Sequence, residues 1–545
     1  MRIDPYSFSP YPEISRHTMD PVFYRLNSQT KSIRHFIPVS PQEPVRRIIM
    51  GQESIPSHRI LISMSETPSS QKMSQKDLMI VIVIALGSFM AGLDATIVNI
   101  ALPAIAKSFD ISTVMASWVL NAYLIVLVSL LLAASRLGDM KGYRNLFLGG
   151  FALFTAGSAL CGLSPTIEVL IASRMLQAVG GAVISALGAV MVTSYLSSSL
   201  RGQALGIVAM FTMLGAALGP VLGGFLTSIF SWQYIFLVNL PVGIIAIILG
   251  MHILPAQAPV SPKAKIDIPG VLLVFIALGS LIVGLTSVQG SNSRIGMIAL
   301  VISAIFWILF IVQERRGKEA LINTRLFANR AYSLQNVNVL LINMAMAGVM
   351  VIMPFYLELV KKIPAGNAGT ILLTLPVGMI LTAPLAGKIS DVIGTKKPII
   401  AGFAVCTVAL FLLSTISAET SVGHISIYLF LLGAGTGIAF SPLNSAVMGE
   451  CEAKDRGSTS GLVKMMTNLG SSLGVAVVML VATIAAGPKL AEVSSHALSS
   501  KDLAGAFDAA FLFCMCLEII GILLMLAVAG KEPSGEPSGE AGFGI

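Results

Sequence analysis

Residues 78–106, "LMIVIVIALGSFMAGLDATIVNIALPAIA", contain a single charged side chain, Asp94. A bilayer core about 30 Å thick needs roughly 20 predominantly apolar residues per crossing helix, and this run exceeds that length. The whole chain has the same character: 545 residues, 55% hydrophobic and 11% charged, with mean hydropathy +0.84. So little polar surface excludes a water-soluble globule of this size and predicts an all-helical integral membrane protein. Runs of this kind recur near 79–104, 117–136, 145–163, 167–193, 203–229, 234–253, 270–288, 296–313, 332–357, 368–389, 398–417, 425–447, 458–486 and 507–529, about fourteen transmembrane helices in all. They are too long and too continuous for the alternating strands of a membrane β-barrel.

Loop charges set the expected orientation. With the start of the first helix inside, the inner loops hold 16 Lys and Arg and the outer loops 6, which predicts both termini cytoplasmic in the cell membrane. The net charge of +8 therefore reflects topology, and no nucleic-acid partner is expected. Cys161, Cys406, Cys451, Cys514 and Cys516 show no metal-ligand spacing and read as small apolar fillers.

The residues before the first helix are rich in Pro, Ser and charge and lack a signal-peptide core, so 1–76 reads as a disordered cytoplasmic extension, with Met64 or Met73 the expected start of translation. The closing "KEPSGEPSGEAGFGI", 531–545, reads as a flexible cytoplasmic tail.

An internal repeat organises the rest. "RLGDMKGYRN" (136–145) and "KISDVIGTKK" (388–397) share an Asp, a Gly three residues later and basic residues after it, each in an inner loop. Two helical halves with extra helices between them fit transporters built from parallel repeats. The expected division is a six-helix bundle over 77–254, a linker with two extra helices over 255–321 and a second six-helix bundle over 322–530.

Further stretches carry a family resemblance. "LDATIVNIALP" (93–103), "GDMKGYRN" (138–145), "RMLQAVGGA" (174–182), "GAALGPVLGG" (215–224), "SWQYIFLVNLPVG" (231–243), "RLFANRAY" (325–332) and "RGSTSGLVKMMTNLGSSLG" (456–474) resemble the major facilitator superfamily, specifically its 14-helix drug:proton antiporter branch of the QacA/EmrB type. Met140, Gln233 and Tyr234 depart from the residues usual there. The resemblance implies the major facilitator fold and proton-coupled multidrug efflux. It also implies that the first-helix Asp and the helix-4 Arg handle protons or substrate, and that the helix-5 motif marks an antiporter.

The residues themselves carry the coupling argument. An ionised side chain at mid-membrane costs roughly 2.5–3.5 kcal/mol, so Asp94 should face the bundle interior. At about 1.5 Å per residue Asp94 lies ~16 Å from the outer end of its helix and Arg174 ~10 Å from the outer end of helix 4, close enough in depth to meet. Withdrawing water favours the protonated acid and a guanidinium favours the carboxylate, so a cavity that opens and closes can load and unload a proton. One charge crossing 100 mV is worth ~2.3 kcal/mol, which sustains roughly a 50-fold gradient per proton. The proton motive force then suffices and no cofactor or metal is implied. No phosphate-binding loop is present, and "GAGTG" (433–437) lies inside an apolar span without a preceding strand. No nucleophile–base pair points to an enzyme.

Other positions have expected roles. Gly138, Asp139, Gly142 and Arg144, with Asp391, Gly394 and Lys396, would form a cytoplasmic gate. Gly215, Gly219 and Gly223, with Gly224 beside them, form a small-residue face, and Pro220 gives a bend about which the halves could rock. Asn99, Asn121, Gln177, Asn239, Asn338, Asn343, Tyr356, Glu358 and Asn444 would line the substrate cavity, whose apolar walls suit small amphiphilic compounds. Lys464 and Glu518 fall at similar depth on consecutive helices and would pair. A monomer in the lipid bilayer is expected. The same features also serve a proton-coupled importer of a small metabolite, or a non-transporting membrane sensor or scaffold.

Overall fold

The computed structural model describes residues 73–256, 258–260, 266–287, 293–316, 324–451, 456–486 and 500–528. The extension before residue 73, the tail from 531 and the loop cations Lys263, Lys265, Lys318, Lys454 and Lys489 lie outside the described residues.

Among the described residues, fourteen helices are long and apolar enough to cross a membrane. They are α1 (Gln75–Phe109), α2 (Thr113–Lys141), α3 (Tyr143–Gly162), α4 (Ile167–Tyr195), α5 (Ser198–Ile229), α6 (Tyr234–Ile253), α7 (Ile268–Ser287) and α8 (Ser293–Arg316), followed by α9 (Arg330–Val360), α10 (Ala365–Ile393), α11 (Lys396–Leu413), α12 (Val422–Gly449), α13 (Arg456–Ala486) and α14 (Ser500–Ala527). Side-chain caps define several starts. Ser74 accepts from the Asp77 amide at 3.1 Å and Asn329 from the Ala331 amide at 2.9 Å, satisfying amides that have no partner inside the helix. Helix α1 thus begins at Gln75, slightly inside the expected extension.

The repeated loop motif has a shared geometry. Gly142 after α2 and Gly394 after α10 have φ of 90° and 82°, a region that a Cβ disfavours. Two residues on, Arg144 donates to the Met251 carbonyl near the end of α6, and Lys396 donates to the Val528 carbonyl, just past the end of α14, at 2.6 Å. Each base thereby meets the negative end of the last helix of its own bundle. Asp139 accepts from Tyr143 Oη at 2.7 Å, again within the bundle, and Asp391 is exposed. These hydrogen bonds tie helices within a half.

Helices α1–α6 and α9–α14 pack as two bundles, and the antiparallel pair α7/α8 lies against α2 and α13. Ser303 of α8 donates to the Ala277 carbonyl of α7 at 2.8 Å. Small residues decide how closely helices approach. A Cβ at Gly215 would overlap the Phe89 carbonyl of α1, and one at Gly219 would overlap Thr96 Oγ1. Gly223 stacks on Ile97 and Ile100. Three of the helix-5 glycines thus seat α1 inside the first bundle. Gly224 and Pro220 face the other way: Gly224 meets the Ala365 backbone and the Pro220 carbonyl meets Gly369 of α10, so one part of the seam between bundles runs through these two, and α2 against α13 forms another. The second bundle repeats the device, with Gly433 and Gly437 against the α10 backbone and Gly435 against Cys406, which accounts for "GAGTG" by packing.

A side chain at the α1/α5 crossing should be costly where one at an open glycine is not. Gly215→Leu is expected to destabilise by about 1–3 kcal/mol and lower the melting temperature of the purified protein. Gly149→Ala, with nothing within 4 Å of its Cβ position, should be neutral or stabilising. Equal melting temperatures for Gly215→Leu and the parent chain would contradict this packing.

Candidate functional site

The bundles enclose a central cavity of about 290 Å³, walled by α1, α2, α4 and α5 on one side and by α9, α10 and α13 on the other. Its wall residues follow helical stripes. On α9 these are Asn343, Met346, Ala347 and Met350; on α13 they are Lys464, Thr467, Asn468, Ser471 and Val475. Spacings of three and four residues put each set on one helix face.

Asp94 and Arg174 meet at this wall. Arg174 Nη1 donates to Asp94 Oδ1 at 2.9 Å and to Oδ2 at 3.0 Å, and the two side chains are 0% and 1% exposed. Gln177, one turn along α4, accepts from Arg174 Nη1 at 2.6 Å and donates to Asp94 Oδ1 at 3.1 Å. Its amide also donates to Ser158 Oγ at 2.7 Å, and Asn239 donates to the same hydroxyl at 3.4 Å. Arg174 Nε donates to the Val119 carbonyl at 3.1 Å, and the guanidinium carbon lies 4.2 Å from the centre of the Tyr123 ring and 5.5 Å from that of Phe236. The network joins α1, α2, α3, α4 and α6. Desolvation makes such a pair strongly interdependent, because removing one member strands the other charge.

The remaining expected residues divide. Asn99 and Asn343 line the cavity. Gln177 and Asn239 belong instead to the polar network behind it. Asn121 and Asn338 are buried but lie away from the cavity, and Asn444 is half-buried away from it. Asn338 precedes Asn343 by five positions, roughly 140° around a helix. Tyr356 donates to the Ser417 carbonyl at 2.9 Å and packs edge-on against Phe507, and Glu358 follows on the same turn of α9, beyond the cavity end at Met350.

The expected Lys464/Glu518 pair does not form. Lys464 lines the cavity, whereas Glu518 is buried on the face of α14 that carries Cys514, toward Cys406 of α11, and its Oε2 has no hydrogen-bond partner. Their helices pack together, but the two side chains point in different directions. Sequence reasoning passed over Lys464, Asn468 and Tyr123 as cavity residues. The polar stripe Lys464, Thr467, Asn468 and Ser471 on an apolar span was the available signal.

Comparisons with known proteins agree with this architecture. The family model described as Major Facilitator Superfamily matches residues 84–475 and 337–544. The riboflavin transporter RibZ of Clostridioides difficile is 32% identical over 397 residues, 73% of this chain and 86% of that protein. The tetracenomycin C resistance and export protein of Streptomyces glaucescens is 31% identical over 440 residues, 79% of this chain and 81% of its own. Multidrug resistance protein Stp of Mycobacterium tuberculosis is 30% identical over 415 residues, covering 74% and 76%. Among solved structures, a bacterial homologue of the human lysosomal transporter Spinster superposes with TM-score 0.60 at 13% identity, over 84% of this chain and 98% of that one.

The ion network implies a clear stability pattern. Arg174→Met alone should destabilise by about 3–5 kcal/mol by stranding the Asp94 carboxylate, and the double variant Asp94→Asn/Arg174→Met should recover much of that loss. Thermal unfolding in detergent measures both. Additive losses in the double variant would contradict the coupling.

Proposed function

The chain belongs to the major facilitator superfamily and is a multi-pass membrane transporter rather than an enzyme, and from that premise we propose that it exports small amphiphilic compounds in exchange for protons. The observation that carries this reading is the buried Asp94 carboxylate on the cavity wall, held by Arg174 and Gln177. When Asp94 takes a proton, Arg174 loses its counter-charge but keeps the Gln177 and Val119 oxygens and the Tyr123 ring face. These partners lower the cost of the neutral-acid state, so the carboxyl can alternate between its two forms without unfolding the site.

In this scheme the basic face is cytoplasmic, both termini lie there, and the protein sits in the cell membrane as a monomer. The Gly224–Ala365 and Pro220–Gly369 contacts seal the opposite face and open as the bundles rock. Substrate enters from the cytoplasmic side with Asp94 ionised, and proton entry from the outer side resets the cycle. The proton motive force supplies the work, at ~2.3 kcal/mol per charge per 100 mV, with no cofactor. The relatives named for drug resistance and export favour this direction. The relative named a riboflavin transporter favours a second reading, movement of a small metabolite.

Everted vesicles from cells lacking their own pumps test the proposal with a panel of amphiphilic dyes and riboflavin. Wild-type vesicles should accumulate a panel compound when the lumen is acid, and Asp94→Asn should lower that uptake about 5–150-fold, the usual span of a coupling free energy. Undiminished pH-driven uptake by Asp94→Asn would overturn the coupling. Accumulation of riboflavin alone, by right-side-out vesicles, would favour the second reading.

A further inference from the structure

The charges facing the central cavity do not cancel. Its charged lining residues are Asp94, Arg174 and Lys464, and the first two neutralise each other at 2.9 Å. Among the described residues no carboxylate lies within ion-pair reach of Lys464, and its side chain is accessible from the cavity. It sits about 12 Å along α13 from the start of that helix, well inside a ~30 Å core. An unpaired ammonium at such depth costs free energy that the protein itself does not offset, and intramembrane ionisable groups of this kind mark substrate pathways.

The neighbouring amides have a definite polarity. Asn99, Asn343 and Asn468 each donate their amino group to a carbonyl one turn back, Ala95, Val339 and Lys464, at 3.2, 2.7 and 2.8 Å. A backbone carbonyl can only accept, so the orientation of each amide is fixed. Among the described residues no donor to their three side-chain oxygens is found, and these sit on three different helices of the same cavity. Methionines Met346, Met350 and Met379, with Leu375, supply an adaptable apolar wall. The volume, near the lower end for ligand pockets, suits a body of about two fused rings.

We propose that Lys464 makes this cavity a receptor for amphiphilic organic anions. The acidic group of the ligand lies on the Lys464 ammonium, N–H or O–H groups it carries donate to the amide oxygens of Asn99, Asn343 and Asn468, and its ring system lies on the methionine wall. The inference rests on the reading of the cavity as the transport site and narrows the substrate class to acids. It also accounts for Lys464 remaining unpaired with Glu518: a protein carboxylate there would occupy the place of the ligand's own.

Three naphthalene probes of one shape test this: 2-naphthoate, 2-naphthamide and 2-naphthylmethylammonium, radiolabelled and bound to the purified full-length chain in lipid nanodiscs. Wild-type protein should bind the carboxylate about tenfold or more tighter than the ammonium, with the amide between them, a difference of ~1.4 kcal/mol per tenfold. Lys464→Gln should abolish the preference, and a melting temperature matching that of the wild type reports that the variant is folded. Lys464→Arg should keep the preference and Lys464→Glu should reverse it. Equal or tighter wild-type binding of the ammonium, no binding of any probe, or a preference that survives in Lys464→Gln would overturn the proposal. Vesicle transport is scored separately. An anion preference without pH-driven transport would sink the exporter reading and leave the anion site standing; transport without the preference would do the reverse.

Discussion

A buried ion pair between Asp94 and Arg174 is the constraint around which the first bundle is arranged. Neither charge is tolerable alone in a medium that cannot solvate it, so five helices contribute to its surroundings: the acid from α1, a carbonyl and a ring from α2, a hydroxyl from α3, the base and an amide from α4, and a second ring and amide from α6. Burial makes the pair sensitive to any change in water access, because the same geometry that stabilises the carboxylate withholds the solvent it would otherwise use. Under the proposed exchange, such a site would link hydration of the cavity to protonation of one side chain, and through it to the arrangement of the bundles.

The two halves solve the packing problem with the same devices. Thr96 donates across a helix crossing to the Ala216 carbonyl at 3.0 Å in the first bundle, and Thr382 donates to the Ala434 carbonyl at 3.0 Å in the second. Each half turns on a left-handed glycine and ties a base to the end of its last helix. Without a hydrophobic drive between helices in lipid, such small-residue crossings and short hydrogen bonds hold each bundle as a rigid body. The contact between bodies is of another kind, with Gly224 and Pro220 against α10 near one face. The α2/α13 and α1/α9 crossings also join the two bundles, so any rocking movement has to slide or part these helix pairs as well.

Much of this was legible in the sequence, for physical reasons that differ by residue. The spans were readable because each had to satisfy the same hydrocarbon thickness, and the Asp94–Arg174 meeting was readable because burial cost demands a partner and depth arithmetic supplies one. Depth alone misled for Lys464 and Glu518. Equal height on adjacent helices does not specify rotation about the helix axis, and Lys464 belongs to the cavity stripe while Glu518 turns toward Cys406. The helix-5 glycines were recognisable as a packing face, but not which neighbour each would meet. Gln177 as a bridge between acid and base, and Tyr123 as the ring beside the guanidinium, depend on side-chain geometry that spacing does not encode.

The central claim is that the Asp94 carboxyl takes up and gives back a proton in the folded protein. Infrared difference spectroscopy of the purified chain, recorded as the solution is moved between alkaline and acid pH, observes this at the carboxyl itself. The account predicts a protonated-carboxyl stretch that grows on acidification in the wild-type protein and is missing from Asp94→Asn. An identical difference spectrum from the variant would contradict it.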